Sequence, residues 1–309
     1  MNDATKALTI TVNFQHPECT LQFLKSASRL ESFSACHVAI VDNNSADDSV
    51  RRLRKAVSEF RNVQLLESPR NRGYFGGAKW ALEQYLAQHS IPDWVIVCNN
   101  DIVFEDPRFL SRLLEKDPMA AGVIAPAIVS GLTGYDANPS IRRRPGPIRM
   151  LRYRFWLSNY YTMWLKQWLS PFVRRVRYRF SLRRASRNAA SREIYAPHGS
   201  FLIFSRKFFE VGGFIDDGFF LYAEEFCVAE MCRRLGLPVI HDSGLRVWHE
   251  EGQSTGRMLS RSLYQHEKKG FRYALDRYKD GYRGLGLSQA AVKTAMAQKQ
   301  RRLSSSLDC

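Results

Sequence analysis

The sequence predicts an α/β fold: a mixed, mostly parallel sheet flanked by helices, interrupted by a basic helical insertion and followed by a helical tail. Three observations carry this expectation. Short apolar runs alternate with helical stretches through the first 130 residues, as in strands that need crossover connections to run parallel. Polar clusters rich in Asn, Asp and Gly follow those runs, where an open α/β sheet places its ligands. The formal net charge of +16 is concentrated in one segment rather than spread over the chain.

The first strand is expected over Ala7-Leu8-Thr9-Ile10-Thr11-Val12-Asn13-Phe14, the second over His37-Val38-Ala39-Ile40-Val41-Asp42. Val63-Gln64-Leu65-Leu66 gives a third and Trp94-Val95-Ile96-Val97-Cys98 a fourth, with helices between them. After the insertion, residues 193–204 read as extended. Ser205 can cap a short helix that stops at Gly212-Gly213. A longer helix runs from about Ala223 to Leu235, closed by Gly236 with Pro238 beyond, and residues after about 257 read as polar helices. The domain reading is therefore a catalytic unit over 1–256, interrupted at 141–192, with a C-terminal helical extension over 257–309.

Bulk composition narrows the function classes. With 309 residues, 45% of them hydrophobic, the chain can bury a full core and is not a disordered protein. It lacks any run of about 18 apolar residues, and its first residues lack the basic and apolar regions of a signal peptide, so the cytosol is the expected compartment. The six cysteines show no CxxC spacing, which argues against a zinc site or a disulfide framework.

Four clusters could carry chemistry. Asn99-Asn100-Asp101 ends an uncharged strand with oxygen ligands for a hard divalent ion and donors for a diphosphate, although the same residues are also ordinary turn formers. Asp42, at the end of the second strand, could bond a nucleobase, and Asn43 to Ser49 could equally be a turn and a helix cap. The glycines of Asn71-Arg72-Gly73-Tyr74-Phe75-Gly76-Gly77 could let backbone amides approach a phosphate or ribose, or could form a tight turn without a ligand. Glu224 and Glu225 extend the apolar stripe of Val228, Met231, Cys232 and Leu235 toward the helix start. They read either as dipole partners or as carboxylates beside an apolar wall, Phe219 to Tyr222, that would suit one of them to act as a base. His249 sits at a strand end, as a metal ligand or as a structural histidine.

In this order the motifs resemble the inverting family 2 glycosyltransferases of the GT-A (Rossmann-like) fold, and particularly their rhamnosyltransferase-like branch. The resemblance covers roughly residues 7–130 and 193–256. Asp42, Asn43, Ser45 and Asp47 match that family's Asp-Asn-x-Ser-x-Asp turn, Asn71 and Gly73 its Asn-x-Gly loop, and Asn99-Asn100-Asp101 its Asp-x-Asp motif. The resemblance implies donor contacts from Asn13, Asp42, Asn71, Gly73, Gly77, Asn99 and Asn100. It implies a divalent metal, Mg²⁺ or Mn²⁺, on Asp101 and His249, and a catalytic base in the Glu224-Glu225 pair, with Glu225 at the expected position. Two departures stand out. The family's Glu-Asp is Glu-Glu here, so the base reaches about 1.5 Å further, and Cys227 and Met231 occupy positions where the family usually has Asp and Arg.

The implied reaction is a direct displacement at the anomeric carbon of a UDP- or dTDP-sugar, dTDP-rhamnose among them, onto a glycan or lipid-linked glycan in cell-surface polysaccharide synthesis. Residues 141–192 hold fourteen arginines, Lys166 and no acid, and subtracting this +15 from +16 leaves the remainder nearly neutral. Ten aromatics, Tyr153, Trp164 and Phe180 among them, are interleaved with the charge. Such a segment suits an anionic membrane surface, here the cytoplasmic face of an inner membrane, where arginines and aromatics both find partners. A solvated helical hairpin packed on the catalytic unit is the plainer reading. The alternatives for the whole chain are a nucleic-acid-binding protein, disfavoured because the basic residues lie apart from any recognition motif, and a carbohydrate-binding pseudoenzyme.

Overall fold

The computed structural model describes residues 5–166, 168, 191–251 and 260–278. Its centre is a nine-stranded sheet. Strands β1 (Ala7–Asn13), β2 (Cys36–Asp42), β3 (Val63–Glu67) and β4 (Trp94–Asn99) form the parallel half in the order β3-β2-β1-β4. The expected strands are all present. Their crossovers are helices α1 (Pro17–Ala27), α2 (Ser49–Val57) and α3 (Tyr74–Leu86). Register aligns the polar residues that end these strands: Asn13 pairs with Asp42 and Val12 with Asn99, so three polar strand ends finish side by side.

The second half of the sheet is mixed. After β5 (Ile102–Val103) and α4 (Phe109–Leu114), strand β6 (Val123–Ser130) is joined in space by β7 (Arg192–Ile194), β8 (Phe201–Ser205) and β9 (Val239–His249). β8 runs antiparallel between β4 and β6, and β9 runs parallel to β6 but antiparallel to β5, opposite whose Ile102 it places His249. Each sheet face is covered by its own apolar cluster, one including Phe75, Phe204, Phe208 and Met231, the other Phe23, Trp94, Phe109 and Phe201. Strands buried on both faces explain the near-continuous apolar runs of β4 and β8.

Local signals at the helix ends act as the sequence predicts. Ser205 caps α6 (Arg206–Glu210) by accepting a bond from the Phe208 amide, and α7 (Glu224–Leu235) stops at Gly236 in the left-handed region.

The insertion and tail differ from expectation. Residues 141–144 are tied to the sheet body, with Ile141 bridged to Ala196 and Arg144 paired to the buried Glu230 of α7. Helix α5 (Pro147–Trp156) therefore stands where the insertion leaves the body, followed by helical residues 160–166. Much of the expected arginine-rich stretch, with Phe172, Tyr178 and Phe180, lies outside the described residues. The tail helix α8 (Arg261–Tyr278) is amphipathic rather than merely polar. Its Ala274 and Tyr278 join the main core, while Tyr264 and Phe271 pack with Leu157, Trp156 and Tyr160 of the insertion. The described parts of these two segments thus pack against each other.

Candidate active site

One side of the candidate site begins as a chain of buried hydrogen bonds at the ends of β1, β2 and β4. Asn100 Nδ2 donates to Thr20 Oγ1 at 3.0 Å, and Thr20 donates to Asn13 Oδ1 at 2.7 Å. Asn13 Nδ2 in turn donates to Asp42 Oδ1 at 3.0 Å. Asp42 also accepts from the Ser45 hydroxyl and amide, at 2.7 and 2.9 Å. Asn13, Asp42 and Asn100 are therefore struts that set the shape of the rim, and each is almost fully buried. Such a fully satisfied network rigidifies what it supports.

Asn43 holds the neighbouring loop. Its Nδ2 donates to Asn71 Oδ1 at 2.9 Å and to the Gly73 carbonyl at 3.1 Å, while its Oδ1 accepts from the Arg72 amide. The loop's glycines are explained by packing. A Cβ on Gly73, whose φ is +73°, would lie 2.3 Å from the Phe220 carbonyl oxygen, and one on Gly77 would press on Val12 at 3.1 Å. The loop amides needed for ligand approach thus sit on a turn that is also closed by protein on one side.

A second part of the site is built by β4, β5 and β9. Pairing of Ile102 with His249 brings His249 Nε2 to 3.1 Å from Asp101 Oδ1 and 3.4 Å from Asn99 Nδ2. The Asp101–His249 contact has ion-pair distance without hydrogen-bond alignment, so Asp101 Oδ1 is a buried polar atom lacking a hydrogen-bond partner; His249 Nδ1, on the other side of the ring and 4.0 Å from Glu251 Oε1, is a second. A buried carboxylate oxygen left without a donor, next to an imidazole, fits a divalent cation of the Mg²⁺ or Mn²⁺ kind. Among the described residues no third His, Cys, Asp or Glu completes a cage. That matches ions bound by one or two side chains together with substrate phosphates.

The opposite wall starts where the apolar approach Phe219 to Tyr222 enters α7. Tyr222 holds a positive φ of 73°, a costly backbone state for an aromatic residue that the surrounding packing must maintain. Glu225 Oε1 accepts a 3.1 Å hydrogen bond from the Gly199 amide. Gly199 is close enough that a Cβ there would meet the same oxygen at 3.1 Å. Its neighbour Glu224 is buried, and desolvation, aided by the charge of Glu225, pushes its carboxyl up to about 8.

Sequence reasoning missed three parts of this wall. His198 lies between the two sides, its ring 6.1 Å from that of His249 and held by Ser200 Oγ at 2.9 Å. Loss of hydration lowers its pKa, against the pull of Glu225. Tyr74 donates to the Gly199 carbonyl at 3.1 Å, and burial keeps its hydroxyl protonated. Glu267 arrives from α8, with burial raising its carboxyl while it feels the charges of Lys166 and Glu225. Only the first had a sequence signal, as a histidine directly before Gly199-Ser200.

A family model described as Glycosyl transferase family 2 matches residues 9–212. The N-acetylglucosaminyl-diphospho-decaprenol L-rhamnosyltransferase of Mycobacterium tuberculosis is 27% identical over 271 residues, covering 85% of this chain and 81% of that protein. Among solved structures, GalNAc-T7 with UDP, GalNAc and Mn²⁺ is similar at a TM-score of 0.55 and 14% identity, over 91% of this chain and 49% of that one. S. aureus TarS is similar at 0.54 and 12% identity, over 95% of this chain and 42% of that one. The chain spans half or less of these two structures, and the likeness is one of fold: the GT-A architecture.

Proposed function

This chain belongs to glycosyl transferase family 2, and we propose that it catalyses a metal-dependent, inverting transfer from a nucleotide diphosphate sugar to a lipid-linked glycan. One observation carries this reading: a single dipeptide, His198-Gly199, separates the Asp101–His249 pair from the Glu225 carboxylate it bonds. The Asp101–His249 pair and the Glu225 carboxylate thus flank one short segment, and we assign them the leaving-group side and the base side of a one-step displacement.

Asp101 and His249 would hold the cation, which when bound offsets charge on the departing diphosphate. Asn99 stands beside them as a donor to phosphate oxygens, and the Asn13–Asp42–Ser45 network supports the base and ribose. Glu225 is the general base, taking the proton of the acceptor hydroxyl on the face opposite the diphosphate. Glu224, raised to about 8 by burial and the neighbouring charge, is largely protonated near neutral pH, which supports giving the role to Glu225. The named activity of the Mycobacterium tuberculosis relative suggests a dTDP-rhamnose or other dTDP- or UDP-sugar donor and a polyprenyl diphosphate-linked acceptor. No helix among the described residues is long and apolar enough to cross a membrane, so a lipid-linked acceptor would be met at the surface, which we place at the cytoplasmic face.

Thermal unfolding against a panel of sugar nucleotides, with and without Mn²⁺, tests the proposal, because a ligand bound to the native state raises Tm by mass action. One donor should stabilise the protein with Mn²⁺ and lose that effect in EDTA. Indifference to every donor would sink the reading.

A further inference from the structure

The largest exposed apolar side chains among the described residues are concentrated on the insertion. Ile148, Leu151 and Phe155 are 86%, 67% and 58% exposed, and their i, i+3, i+7 spacing puts them on one stripe of α5. Tyr161, Trp164, Leu165 and Trp168, also exposed, repeat that stripe on the next helical stretch. The other side of the same segment is spoken for: Trp156, Leu157, Tyr160 and Met163 pack against Tyr264 and Phe271 of α8. These are therefore two helices with a seated face and a bare one.

Charge identifies what the bare face suits. Arg149, Arg152 and Arg154 flank the α5 stripe, and a hollow at the start of that helix is lined by Gly146, Ile148, Arg149 and Arg152, with Arg149 Nε lacking a hydrogen-bond partner. The surrounding segment, 141–192, contains no acidic residue. Aliphatic and aromatic side chains projecting beside arginines, without a span long enough to cross, are the pattern of helices lying in the interface of an anionic bilayer. A nucleic acid would use the arginines but leave Ile148 and Leu151 in water.

We infer that α5, helical residues 160–166 and Trp168 form an in-plane docking surface for anionic phospholipid, with the arginines at headgroup phosphates and the two stripes in the acyl boundary. The surface is fastened beside the base. Helix α8 donates from Tyr264 to the Leu157 carbonyl at 3.2 Å and from Lys268 to the Ser158 carbonyl at 2.8 Å. From the same helix, Gly270 lies against the Leu221 carbonyl and Tyr273 donates to Asp216 at 2.6 Å, both in the approach to Glu225. Docking would thus set the orientation of the acceptor cleft over the membrane. That purpose rests on the lipid-linked acceptor proposed above; the lipid binding itself does not.

The full chain is tested by co-sedimentation with vesicles of phosphatidylcholine alone or with 30 mol% phosphatidylglycerol, at physiological salt and without any donor. Ile148→Ser/Leu151→Ser/Trp164→Ser keeps every arginine and changes only exposed positions, so its thermal unfolding should match that of the parent. The parent should pellet with the anionic vesicles and not the neutral ones, and the triple variant should bind them about tenfold or more weakly. A single-stranded DNA competitor should leave the difference between the two proteins intact. Equal binding by parent and variant, no binding to anionic vesicles, or displacement of both by DNA would each overturn the assignment. Because no sugar nucleotide is present, these outcomes are independent of whether the transferase reading holds.

Discussion

Glu225 and Glu224 differ by one position and by their access to the cleft, and that difference can be measured. Glu225→Gln keeps the volume and an oxygen for the Gly199 amide but cannot take up a proton, so kcat should fall roughly 10²–10⁴-fold with donor affinity nearly unchanged. Steady-state kinetics and donor titration check both halves. For Glu224 the prediction concerns stability. Its folded-state pKa of about 8 lies above the ordinary 4.5, so the folded state holds the proton more tightly and the group withdraws stability as pH rises between those values. Glu224→Gln removes that loss. The variant's unfolding free energy should gain on the parent's from pH 4.5 to 8, by an amount on the order of a few kcal/mol at most, and run parallel to it below that range, read from urea midpoints across pH. A gap that shrinks with rising pH would contradict the assignment. Asp101→Asn, which removes the one formal charge of Asn99-Asn100-Asp101, should weaken donor binding and turnover together, and added Mn²⁺ should recover little of either.

At the level of elements, the site depends on how closely the start of α3 meets the loop before α7. Gly73 makes that approach possible, with a φ of 73° and ψ of −175° that side chains scarcely adopt, and with Phe220 filling the place of a Cβ. Gly73→Ala should cost roughly 1–3 kcal/mol from the backbone alone, read as a lower urea midpoint, and should also displace Phe220 and the base behind it. A second junction is Glu230, whose buried carboxylate accepts from Arg144, Tyr195 and Arg233. It joins the first residues of the insertion to α7, the helix of Glu224 and Glu225. Sequence reading could place α7 and its caps but not this role, since a glutamate beside an apolar stripe shows no partner until Arg144, far earlier in the chain, is folded against it.

For the whole molecule, α8 couples the insertion to the loop before α7. Asp216 accepts from Tyr273 at 2.6 Å and Tyr278 at 2.7 Å and pairs with Arg277, which pins the tail helix over the loop before α7. Asp216→Ala should speed amide exchange across residues 214–223 and 261–278 while leaving the parallel half of the sheet protected. Turnover should drop more than donor affinity, because the donor network is anchored in β1, β2 and β4. Uniform loss of protection through the sheet would show instead that the helix is needed for the entire fold. The stripe of Tyr264, Phe271, Ala274 and Tyr278 at helical spacing was a usable sign that this tail packs, but its many charged neighbours gave it the look of a solvated helix.

What the amino-acid order determined by itself was local: strands from apolar runs, caps from Ser205 and Gly236, and polar clusters at strand ends. These follow from backbone propensity and hydrophobic period, which act over a few residues. Asn99-Asn100-Asp101 and His249 were visible as chemistry for the same reason, being short motifs at the ends of readable strands. Tertiary structure alone decided which polar groups are free and which are struts. Asn13, Asp42 and Asn100 look like ligand contacts in sequence, yet their side chains are joined to one another through Thr20 and Ser45. Tertiary structure also placed Glu267, Lys166 and Glu225 within electrostatic reach, and divided the insertion's described aromatics into a packed side and a bare side. A hydrogen bond or an apolar contact is satisfied by whatever the fold brings near, and the links that sequence could not show are the long ones, Asn13 to Asp42 across 29 positions and Asn100 to Thr20 across 80.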